Sequence, residues 1–424
     1  MKKVHIIGGG TLSDIRPHLS LCAPAYGGTA RRLAELCKAQ SDKLDVELHL
    51  TRMAGGPAAL NTVYDVDSLL NNIKDDLDTK IVFMPVAICD FSGTVFNREN
   101  GRLSTHDVDR YDPDTWPIVG LKPVGKIINN IRQGRKDIFL VGFKHTSGAS
   151  EQEQYIAGLN LLKGASCNLV LANDENTRLN MVITPEEAKY HVTINREEAL
   201  KGLVEMAYLR SHLTFTRSTV ISGDSIVWDS KMVPDSLRKV ITYCIARGAY
   251  KPFNGATVGH FACKIDDTIF LTSKRKTNFN NLDEVGLVLV KTDGPDSVIA
   301  YGSKPSVGGQ SQRIVFNEHS DYDCIVHFHC PIKDKSKVPQ VSQREYECGS
   351  HECGQNTSRG LKKFGNLSAV YLQEHGPNIV FNKSIDPEEV IDFIEDNFNL
   401  EGKTGGPVAT IGPSSTLKSL IKGG

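Results

Sequence analysis

Short apolar runs alternate with amphipathic stretches through the first half of the chain. The pattern predicts an amphipathic helix at Ala30–Ala39 and buried strands at Val4–Ile7, Val46–Leu50, Ile81–Val86, Ile138–Val141 and Leu169–Leu171, with further helical segments between the strands. Strands that alternate with helices imply βαβ units and a mostly parallel sheet with flanking helices. In such α/β sheets, ligands bind beyond the carboxyl ends of the strands. We therefore expect an α/β domain whose site lies at that edge.

The second half of the chain has a different pattern. A helix is predicted near Asp235–Arg247, followed by closely spaced strands at Gly259–Ile265, Thr268–Thr272, Val285–Lys291 and Val298–Tyr301. This spacing indicates an α+β domain with an antiparallel sheet. The alternation of strands and helices seen in the first half stops between Arg217 and Ser230. A chain of 424 residues is also too long for a single hydrophobic core of ordinary size. We predict domains at 1–215 and 232–424, joined by a linker at 216–231.

Composition narrows the class of protein. Hydrophobic residues make up 40% and charged residues 23%, as in globular proteins. The 49 Lys and Arg nearly cancel the 50 Asp and Glu, so nothing favours nucleic acid or an anionic membrane as a partner. No apolar run is long enough to span a bilayer, and Gly8-Gly9-Gly10 interrupts the first apolar stretch too early for a secretory signal. Ten cysteines without a regular framework fit reduced thiols, so we expect a cytoplasmic protein.

Three histidines suggest a metal site in the second half. His327 and His329 follow the apolar run Asp323–Val326, and alternate residues of a strand point to one side, so both rings can reach one ion. His375 follows a second apolar strand, Leu367–Leu372, and Gly376 can supply the turn that returns its ring. Three neutral imidazoles are a common ligand set for catalytic zinc, which keeps one position open. The alternative is three unrelated histidines.

Several motifs that could bind a ligand follow the predicted strands of the first half. Gly8-Gly9-Gly10-Thr11 directly follows a strand, where glycine amides can point at a phosphate, although a plain tight turn also explains it. Asp14-Ile15-Arg16 follows this turn, and Gly27-Gly28-Thr29 stands at the start of a helix. Ala87–Phe91, Val141–Lys144 and Leu169–Asp174 each lie at the end of an apolar strand. In this order the motifs resemble phosphopantothenate–cysteine ligase, the enzyme of coenzyme A synthesis that activates a carboxylate with a nucleotide triphosphate. The resemblance covers roughly residues 1–210.

This resemblance implies a Rossmann-like domain that binds CTP or ATP. It assigns Gly142, Phe143, Asn173 and Asp174 to the nucleotide, with Lys163 near the phosphates. Gly9, Gly10 and Thr11 of the glycine-rich turn are further candidates for nucleotide binding. It places Arg16 beside an acyl phosphate or carboxylate. Two departures stand out, because the family's Ser-Ser-Gly loop is absent and its Lys-x-Lys segment is Gly101-Arg102-Leu103-Ser104. Nucleotide binding is therefore better supported than formation of phosphopantothenoylcysteine.

The three histidines belong to a longer pattern. Gly302–Ser306, then His319–Asp323, then His327-Phe328-His329 and finally His375-Gly376 resemble the class II aldolase/adducin family over about residues 232–400. The resemblance implies a divalent ion, usually zinc, held by His327, His329 and His375. Members of that family split, epimerise or dehydrate phosphorylated sugars, and the ion polarises a carbonyl or hydroxyl.

The family resemblance also points to phosphate and acid–base residues. The corresponding phosphate positions here are His260, Lys274, Arg275 and Ser306, although Lys274-Arg275-Lys276 could equally be a solvated basic loop. The usual acidic position before the metal histidines is Gly308, which cannot move a proton. Glu345 and Glu347 are the available acid–base candidates, and as an alternative they are surface carboxylates.

These observations favour a fusion enzyme. We expect a zinc-dependent aldolase- or dehydratase-type lyase, with epimerase chemistry left open, acting on a small phosphorylated sugar or sugar acid and joined to a nucleotide-binding, ligase-like domain. The alternatives are a coenzyme A-pathway ligase with an inert aldolase-like domain, and a non-catalytic, adducin-like binding protein. Both resembled families form oligomers, so we expect a homo-oligomer, either a dimer or a tetramer.

Overall fold

The computed structural model describes residues 1–40, 43–96, 103–224, 226–253, 255–282 and 286–405. These residues divide into two compact units. The first unit consists of Met1–Ile183 and His191–Ser211, and the second consists of Thr184–Tyr190 together with the described residues from His212 onward. The predicted linker, 216–231, contains a strand that pairs within the sheet of the second unit.

Up to Ser211 the chain forms eleven described strands and five described helices. The strands are β1 (Lys2–Gly8), β2 (Thr11–Arg16), β3 (Leu19–Ala23), β4 (Leu44–Leu50), β5 (Thr79–Met84), β6 (Phe91–Val95), β7 (Val119–Pro123), β8 (Phe139–Thr146), β9 (Leu169–Asp174), β10 (Asn180–Ile183) and β11 (Lys189–Thr193). The helices are α1 (Gly28–Gln40), α2 (Val63–Asp75), α3 (Asn129–Gly134), α4 (Glu151–Ala165) and α5 (Arg196–Ser211).

Seven of these strands form one sheet in the order β11-β10-β9-β8-β5-β1-β4. Neighbours from β4 to β9 are parallel, and β10 is antiparallel to β9. The mostly parallel α/β sheet predicted for this half is confirmed, with its five predicted strands as β1, β4, β5, β8 and β9. The hairpins β2–β3 and β6–β7 were not predicted, because their residues are mostly exposed or half-exposed and form no continuous apolar run.

The strand order creates a topological switch point in the first unit. β1 lies between β4 and β5, so successive crossovers leave it in opposite directions, and ligands bind at such a point in α/β sheets. The loops after β1 and β5 are hydrogen-bonded there. The amide of Thr11 donates to the carbonyl of Ala87 at 3.0 Å, and the amide of Ala87 donates to that of Gly9 at 2.9 Å. The glycine-rich loop predicted from the sequence therefore lies at the switch point.

From Arg217 the chain forms twelve described strands and four described helices. The strands are β12 (Arg217–Ile221), β13 (Pro252–Phe253), β14 (Ala256–Thr257), β15 (His260–Lys264), β16 (Ile269–Ser273), β17 (Leu287–Thr292), β18 (Ser297–Tyr301), β19 (Cys324–His327), β20 (Gln340–Val341), β21 (Lys362–Phe364), β22 (Leu367–Leu372) and β23 (Gly376–Phe381). The helices are α6 (Asp235–Ala246), α7 (Val307–Glu318), α8 (His351–Gly360) and α9 (Pro387–Asn397). None of the described helices has the length and apolar composition needed to cross a bilayer.

Most of these strands join a second sheet in the order β12-β18-β17-β16-β15-β19-β23-β22-β20, with β21 beside β22. Its pairings are antiparallel from β18 to β22, and β12 and β20 add parallel pairs at the two ends. The antiparallel α+β domain predicted for this half is confirmed.

The two faces of the second sheet pack against different helices. On β19, Val326 belongs to an apolar core with α6 and α9, whereas Ile325 belongs to a core that includes residues of α7. Because side chains alternate along a strand, His327 lies on the same face as Ile325. On the neighbouring β15, Ala262 packs in the α7 core and His260 is directly opposite His327. The sheet thus brings two buried histidines to the α7 face.

Candidate metal centre

Three buried histidine rings meet in the second unit. The ligand nitrogens of His327, His329 and His375 all lie within 4.8 Å of one another. Nε2 of His327 is 3.3 Å from Nε2 of His375, and the ring centroids are 4.5 to 5.1 Å apart. Zinc–nitrogen bonds of about 2.0–2.1 Å place the ligand atoms of a tetrahedral site about 3.3 Å apart. The three imidazoles therefore fit a divalent ion in both spacing and donor chemistry.

A hydrogen bond fixes the orientation of the His327 ring. Its Nδ1 lies 2.7 Å from the carbonyl oxygen of Pro377, and because a carbonyl only accepts, Nδ1–H is the donor. The lone pair of the neutral ring is then on Nε2, which faces His375. Burial lowers the pKa of His327 to about 4, so the ring is neutral near pH 7. A metal-binding histidine is commonly oriented in this way by its second nitrogen.

The backbone around the histidines is closely packed. β19 ends at His327, so His329 lies beyond the strand and not on it as the sequence predicted. Gly376 has φ +146°, and a Cβ atom there would lie 2.1 Å from the carbonyl oxygen of Phe328. Thr404 joins the two remaining ligands, since its amide donates to the carbonyl of His329 at 3.2 Å and its hydroxyl donates to that of His375 at 2.6 Å. Thr404 was not predicted, because it belongs to no motif.

We expect the metal-free protein to lose stability as the pH falls from 6.5, the ordinary pKa of histidine, towards the value of about 4 for His327. The unfolded chain takes up this proton near pH 6.5 and the folded chain does not, so stability present above pH 6.5 falls by up to about 3 kcal/mol. Urea unfolding in the presence of a chelator, followed by circular dichroism across this range, measures the loss. His327→Gln should show a smaller pH dependence, and equal dependence in both proteins would contradict the assignment.

The predicted phosphate residues fall into two places. Lys274, Arg275 and Ser306 are close in the backbone, because the amide of Arg275 donates to Lys304 at 3.0 Å and that of Ser306 donates to Ser273 at 2.9 Å. Ser306 directly precedes α7. His260 is instead beside the metal histidines, with its ring centroid 4.7 Å from that of His327.

His260 belongs to a buried polar chain. The side-chain amide of Gln312 on α7 donates to Nδ1 of His260, and its oxygen accepts from the hydroxyl of Thr272 at 3.2 Å. Burial lowers the pKa of His260 well below its ordinary value, so this ring is also neutral. The sequence identified His260 only as a phosphate position, and its pairing with His327 follows from the strand register.

A cavity of about 640 Å³ in the second unit is lined in part by residues that contact or directly precede the metal histidines, while the three histidines themselves are not part of its lining. Its lining includes Glu374, which directly precedes His375, and Thr404, which binds the carbonyls of two ligands. Arg344, Gln340, Tyr190 and Lys403 also line it. Lys403 forms an ion pair with Glu187 at 2.7 Å, and both side chains are only 1% exposed. Glu187 and Lys403 were not predicted, because they are far apart in the sequence.

The two predicted acid–base residues are half-exposed and do not line this cavity. Glu345 accepts a hydrogen bond from the hydroxyl of Ser342 at 2.6 Å and lies 3.8 Å from the guanidinium of Arg344. Glu347 lies two residues further along the same segment. Glu374 does line the cavity, and its φ of +58° is uncommon for a residue with a side chain. In the sequence, Glu374 could have been identified as an acidic residue directly before a predicted metal ligand.

The glycine-rich loop of the first unit is packed by the protein itself. A Cβ atom on Gly9 would lie 2.1 Å from the hydroxyl of Thr51, and one on Gly10 would lie 2.2 Å from the carbonyl of Ala23. The Thr11 hydroxyl is buried, donates to Ala87 at 3.1 Å and accepts from the amide of Cys89 at 2.8 Å. These contacts explain the residue types without a ligand, so nucleotide binding by Gly9, Gly10 and Thr11 stays a prediction.

Four further predicted nucleotide residues lie on β8 and β9. Gly142 and Phe143 are within β8, and Asn173 and Asp174 end β9. The carboxylate of Asp174 accepts from the amides of Gly148, Ala149, Asn176 and Thr177, and these bonds, led by that of Thr177, hold its pKa well below the ordinary range. Asp174 therefore organises the loop at the carboxyl ends of β8 and β9.

Two further predicted residues lie on other elements than β8 and β9. Lys163 is exposed in the last turn of α4, which returns the chain to the start of β9, so it lies at the opposite edge of the sheet from Asn173 and Asp174. Arg16 is the last residue of β2, in the hairpin that follows the glycine-rich loop. Its predicted contact with an acyl phosphate or carboxylate remains a prediction.

No protein-family model matches the chain. Over 178 residues it is 28% identical to the coenzyme A biosynthesis bifunctional protein CoaBC of Thermococcus kodakarensis. The match covers 41% of this chain and 41% of that protein, so the chain spans about two fifths of the curated relative's length. The relative's name refers to the same pathway as the ligase family that residues 1–210 resemble.

Solved structures of two kinds are similar to parts of the chain. The DNA/pantothenate metabolism flavoprotein of Streptococcus pneumoniae is 19% identical, with 48% of this chain and 97% of that chain covered and a TM-score of 0.37. An L-fuculose 1-phosphate aldolase is 16% identical, with 39% and 85% covered and a TM-score of 0.30. Each of these two likenesses covers less than half of this chain.

Proposed function

We propose that the second unit is a divalent-metal-dependent lyase of aldolase or dehydratase type that acts on a small phosphorylated sugar or sugar acid. The proposal rests on the buried cluster of His327, His329 and His375 beside a cavity of about 640 Å³. Three imidazoles leave a coordination position open for substrate. A bound divalent ion, zinc by preference, would supply a Lewis acid that polarises a carbonyl or hydroxyl oxygen.

The charges near the site favour an anionic substrate. Arg344 lines the cavity, and Glu374 is the acidic residue in the described part of its lining. Lys403 also lines it, but its charge is balanced by the buried carboxylate of Glu187. Lys274 and Arg275 lie beside Ser306 at the amino end of α7. Amides at a helix amino end and nearby cations both bind phosphate, so this corner is suited to a phosphoryl group.

Glu374 is the residue that we assign to proton transfer. Glu374 is an exposed residue that lines the cavity, and its backbone adjoins that of His375. The left-handed backbone of Glu374 is a form of strain that clusters at active sites. Glu345 is held by Ser342 and does not line the cavity, which makes Glu345 and Glu347 weaker candidates than the sequence suggested.

Metal analysis and a substrate screen test this function. Plasma mass spectrometry of wild-type protein and of His327→Ala/His329→Ala should show one ion per chain fewer in the variant. Phosphorylated sugars and sugar acids should then be screened for cleavage or dehydration. Glu374→Gln should lower kcat by about 10²–10⁴-fold, the usual contribution of a positioned acid or base, with unchanged metal content.

Two matched variants control the assignment of the acid. Glu345→Gln and Glu347→Gln make the same chemical change nearby and should keep kcat near the wild-type value. A large loss in either, with full activity in Glu374→Gln, would contradict the role of Glu374. Wild-type protein that contains no metal and takes up no added zinc would contradict the lyase itself.

We propose for the first unit a nucleotide-binding, ligase-like function that activates a carboxylate with CTP or ATP. The position of Gly9, Gly10 and Thr11 at the topological switch point and the similarity to CoaBC support it. Two active units would then form a cytoplasmic homo-oligomeric fusion enzyme of one pathway. The alternative, a coenzyme A-pathway ligase with an inert second unit, would turn over phosphopantothenate, cysteine and nucleotide in the His327→Ala/His329→Ala variant as fast as in wild type.

A further inference from the structure

A second group of potential metal ligands lies in the first unit. His5 on β1 is paired with Glu47 on the parallel strand β4, and His49 is two residues further along β4. Side chains alternate along a strand, so Glu47 and His49 share one face, and His5 points to the same face. The ligand atoms of the three residues all lie within 4.8 Å of one another. This group was not predicted, because its members come from two strands about forty residues apart.

The distances within the group are those of a coordination tetrahedron. Nδ1 of His5 is 3.1 Å from Nε2 of His49. Oε2 of Glu47 is 3.5 Å from Nδ1 of His5 and 3.7 Å from Nε2 of His49. Ligand atoms bound to zinc at about 2.0–2.2 Å are separated by about 3.3–3.5 Å in a tetrahedral site. Small shifts of the side chains would place all three atoms at bonding distance from one ion.

The neighbours of His5 fix which of its nitrogens has the lone pair. The hydroxyl of Thr79 donates its hydrogen to the carbonyl of Ile73 at 2.7 Å. The same oxygen is 3.2 Å from Nε2 of His5 and must accept there, so the neutral ring is protonated on Nε2. Its lone pair is then on Nδ1, which faces His49 and Glu47. His5 and Thr79 are 3% and 2% exposed, and such a buried second partner is typical of a metal-binding histidine.

The charges around the group suit a cation. Oε1 of Glu47 binds the ammonium of Lys3 at 2.9 Å, which leaves Oε2 directed at the two histidines. Lys3 also binds Asp76 at 3.1 Å, so two carboxylates face one ammonium. The side chains of His49 and Glu47 are 23% and 33% exposed, which gives an ion access from solvent.

We propose that His5, Glu47 and His49 form a second divalent-metal site, which takes zinc or another ion that accepts imidazole and carboxylate, such as cobalt or nickel. Nitrogen and oxygen donors of this kind suit those ions. The ion would join β1 to β4 and stabilise the first unit by binding only its folded form. This site is independent of the three-histidine centre. The alternative without metal is a hydrogen-bonded trio in which Nε2–H of His49 donates to His5.

The test uses the full chain with the three-histidine centre removed. His327→Ala/His329→Ala protein is stripped with a chelator, checked for native circular dichroism and titrated with zinc by calorimetry and plasma mass spectrometry. It should bind one zinc ion per chain, and zinc should raise its melting temperature. Adding His49→Ala should abolish both effects. Adding Glu47→Gln should weaken binding at least about tenfold, because a charged ligand is lost while the shape of the side chain is kept.

His106→Ala is the matched control, since His106 is an exposed histidine outside the group. In the double-variant background it should leave zinc binding unchanged. Wild-type protein provides a second measurement, with two ions per chain falling to one in His49→Ala. Folded background protein that binds no zinc, or zinc binding that survives both His49→Ala and Glu47→Gln, overturns the proposal and leaves the hydrogen-bonded trio.

Discussion

Gly376→Ala is expected to remove metal binding at the three-histidine centre and to lower the free energy of unfolding by about 3 kcal/mol or more. A Cβ atom at this position would lie 2.1 Å from the carbonyl oxygen of Phe328 and 3.3 Å from Cα of His329. Neither group is a flexible side chain that could move aside. Alanine also tolerates the φ of +146° poorly. The backbone must therefore move to relieve the clash, which separates His375 from His327 and His329. The three ligand nitrogens can then no longer bind one ion.

Zinc titration and urea unfolding of Gly376→Ala measure the two effects. Gly248→Ala is the matched control, since Gly248 has φ +70° and a Cβ atom there would meet no other atom within 4 Å. It should show the loss in stability that backbone strain alone produces, of about 1 kcal/mol, with unchanged zinc affinity at the three-histidine centre. Wild-type affinity in Gly376→Ala would show that the close approach of β23 to Phe328 does not position the ligands.

The fold was predictable where strands are buried on both faces. β1, β5 and β9 consist of nearly continuous apolar runs, as is typical of parallel strands covered by helices. The hairpins β2–β3 and β6–β7 were missed because their half-exposed residues have no such pattern. The mostly parallel sheet was predictable for this reason, whereas the antiparallel sheet was predicted from the close spacing of its strands.

The histidine cluster was predictable from local sequence, and its surroundings were not. His327 and His329 are two residues apart after an apolar run, and His375 precedes a glycine after another, so local order identified all three. Thr404 supports two of them from a segment without any motif. The group of His5, Glu47 and His49 depends on the register between β1 and β4, which one sequence does not determine. The residues that were missed are therefore those brought together by the pairing of two strands or by single hydrogen bonds to the backbone.

Lys403→Met is expected to lower the free energy of unfolding by about 3–5 kcal/mol, because it leaves the carboxylate of Glu187 buried without its counter-charge. The two groups are 2.7 Å apart and 1% exposed. Lys403 also precedes Thr404, whose amide and hydroxyl bind the carbonyls of His329 and His375. Loss of the ion pair should therefore also weaken zinc binding at the three-histidine centre.

A double-variant cycle separates the buried charge from the packing of the two side chains. Glu187→Gln/Lys403→Met removes both charges and keeps similar volume, so it should be less destabilised than Lys403→Met alone. Lys335→Met, a change of the same type at an exposed lysine, should alter neither stability nor zinc affinity measurably. Equal destabilisation in the single and double variants would mean that the pair contributes through packing alone. The double variant could instead recover both stability and zinc affinity relative to Lys403→Met. That result would show that the uncompensated carboxylate of Glu187 disturbs the metal ligands through the segment that contains Thr404.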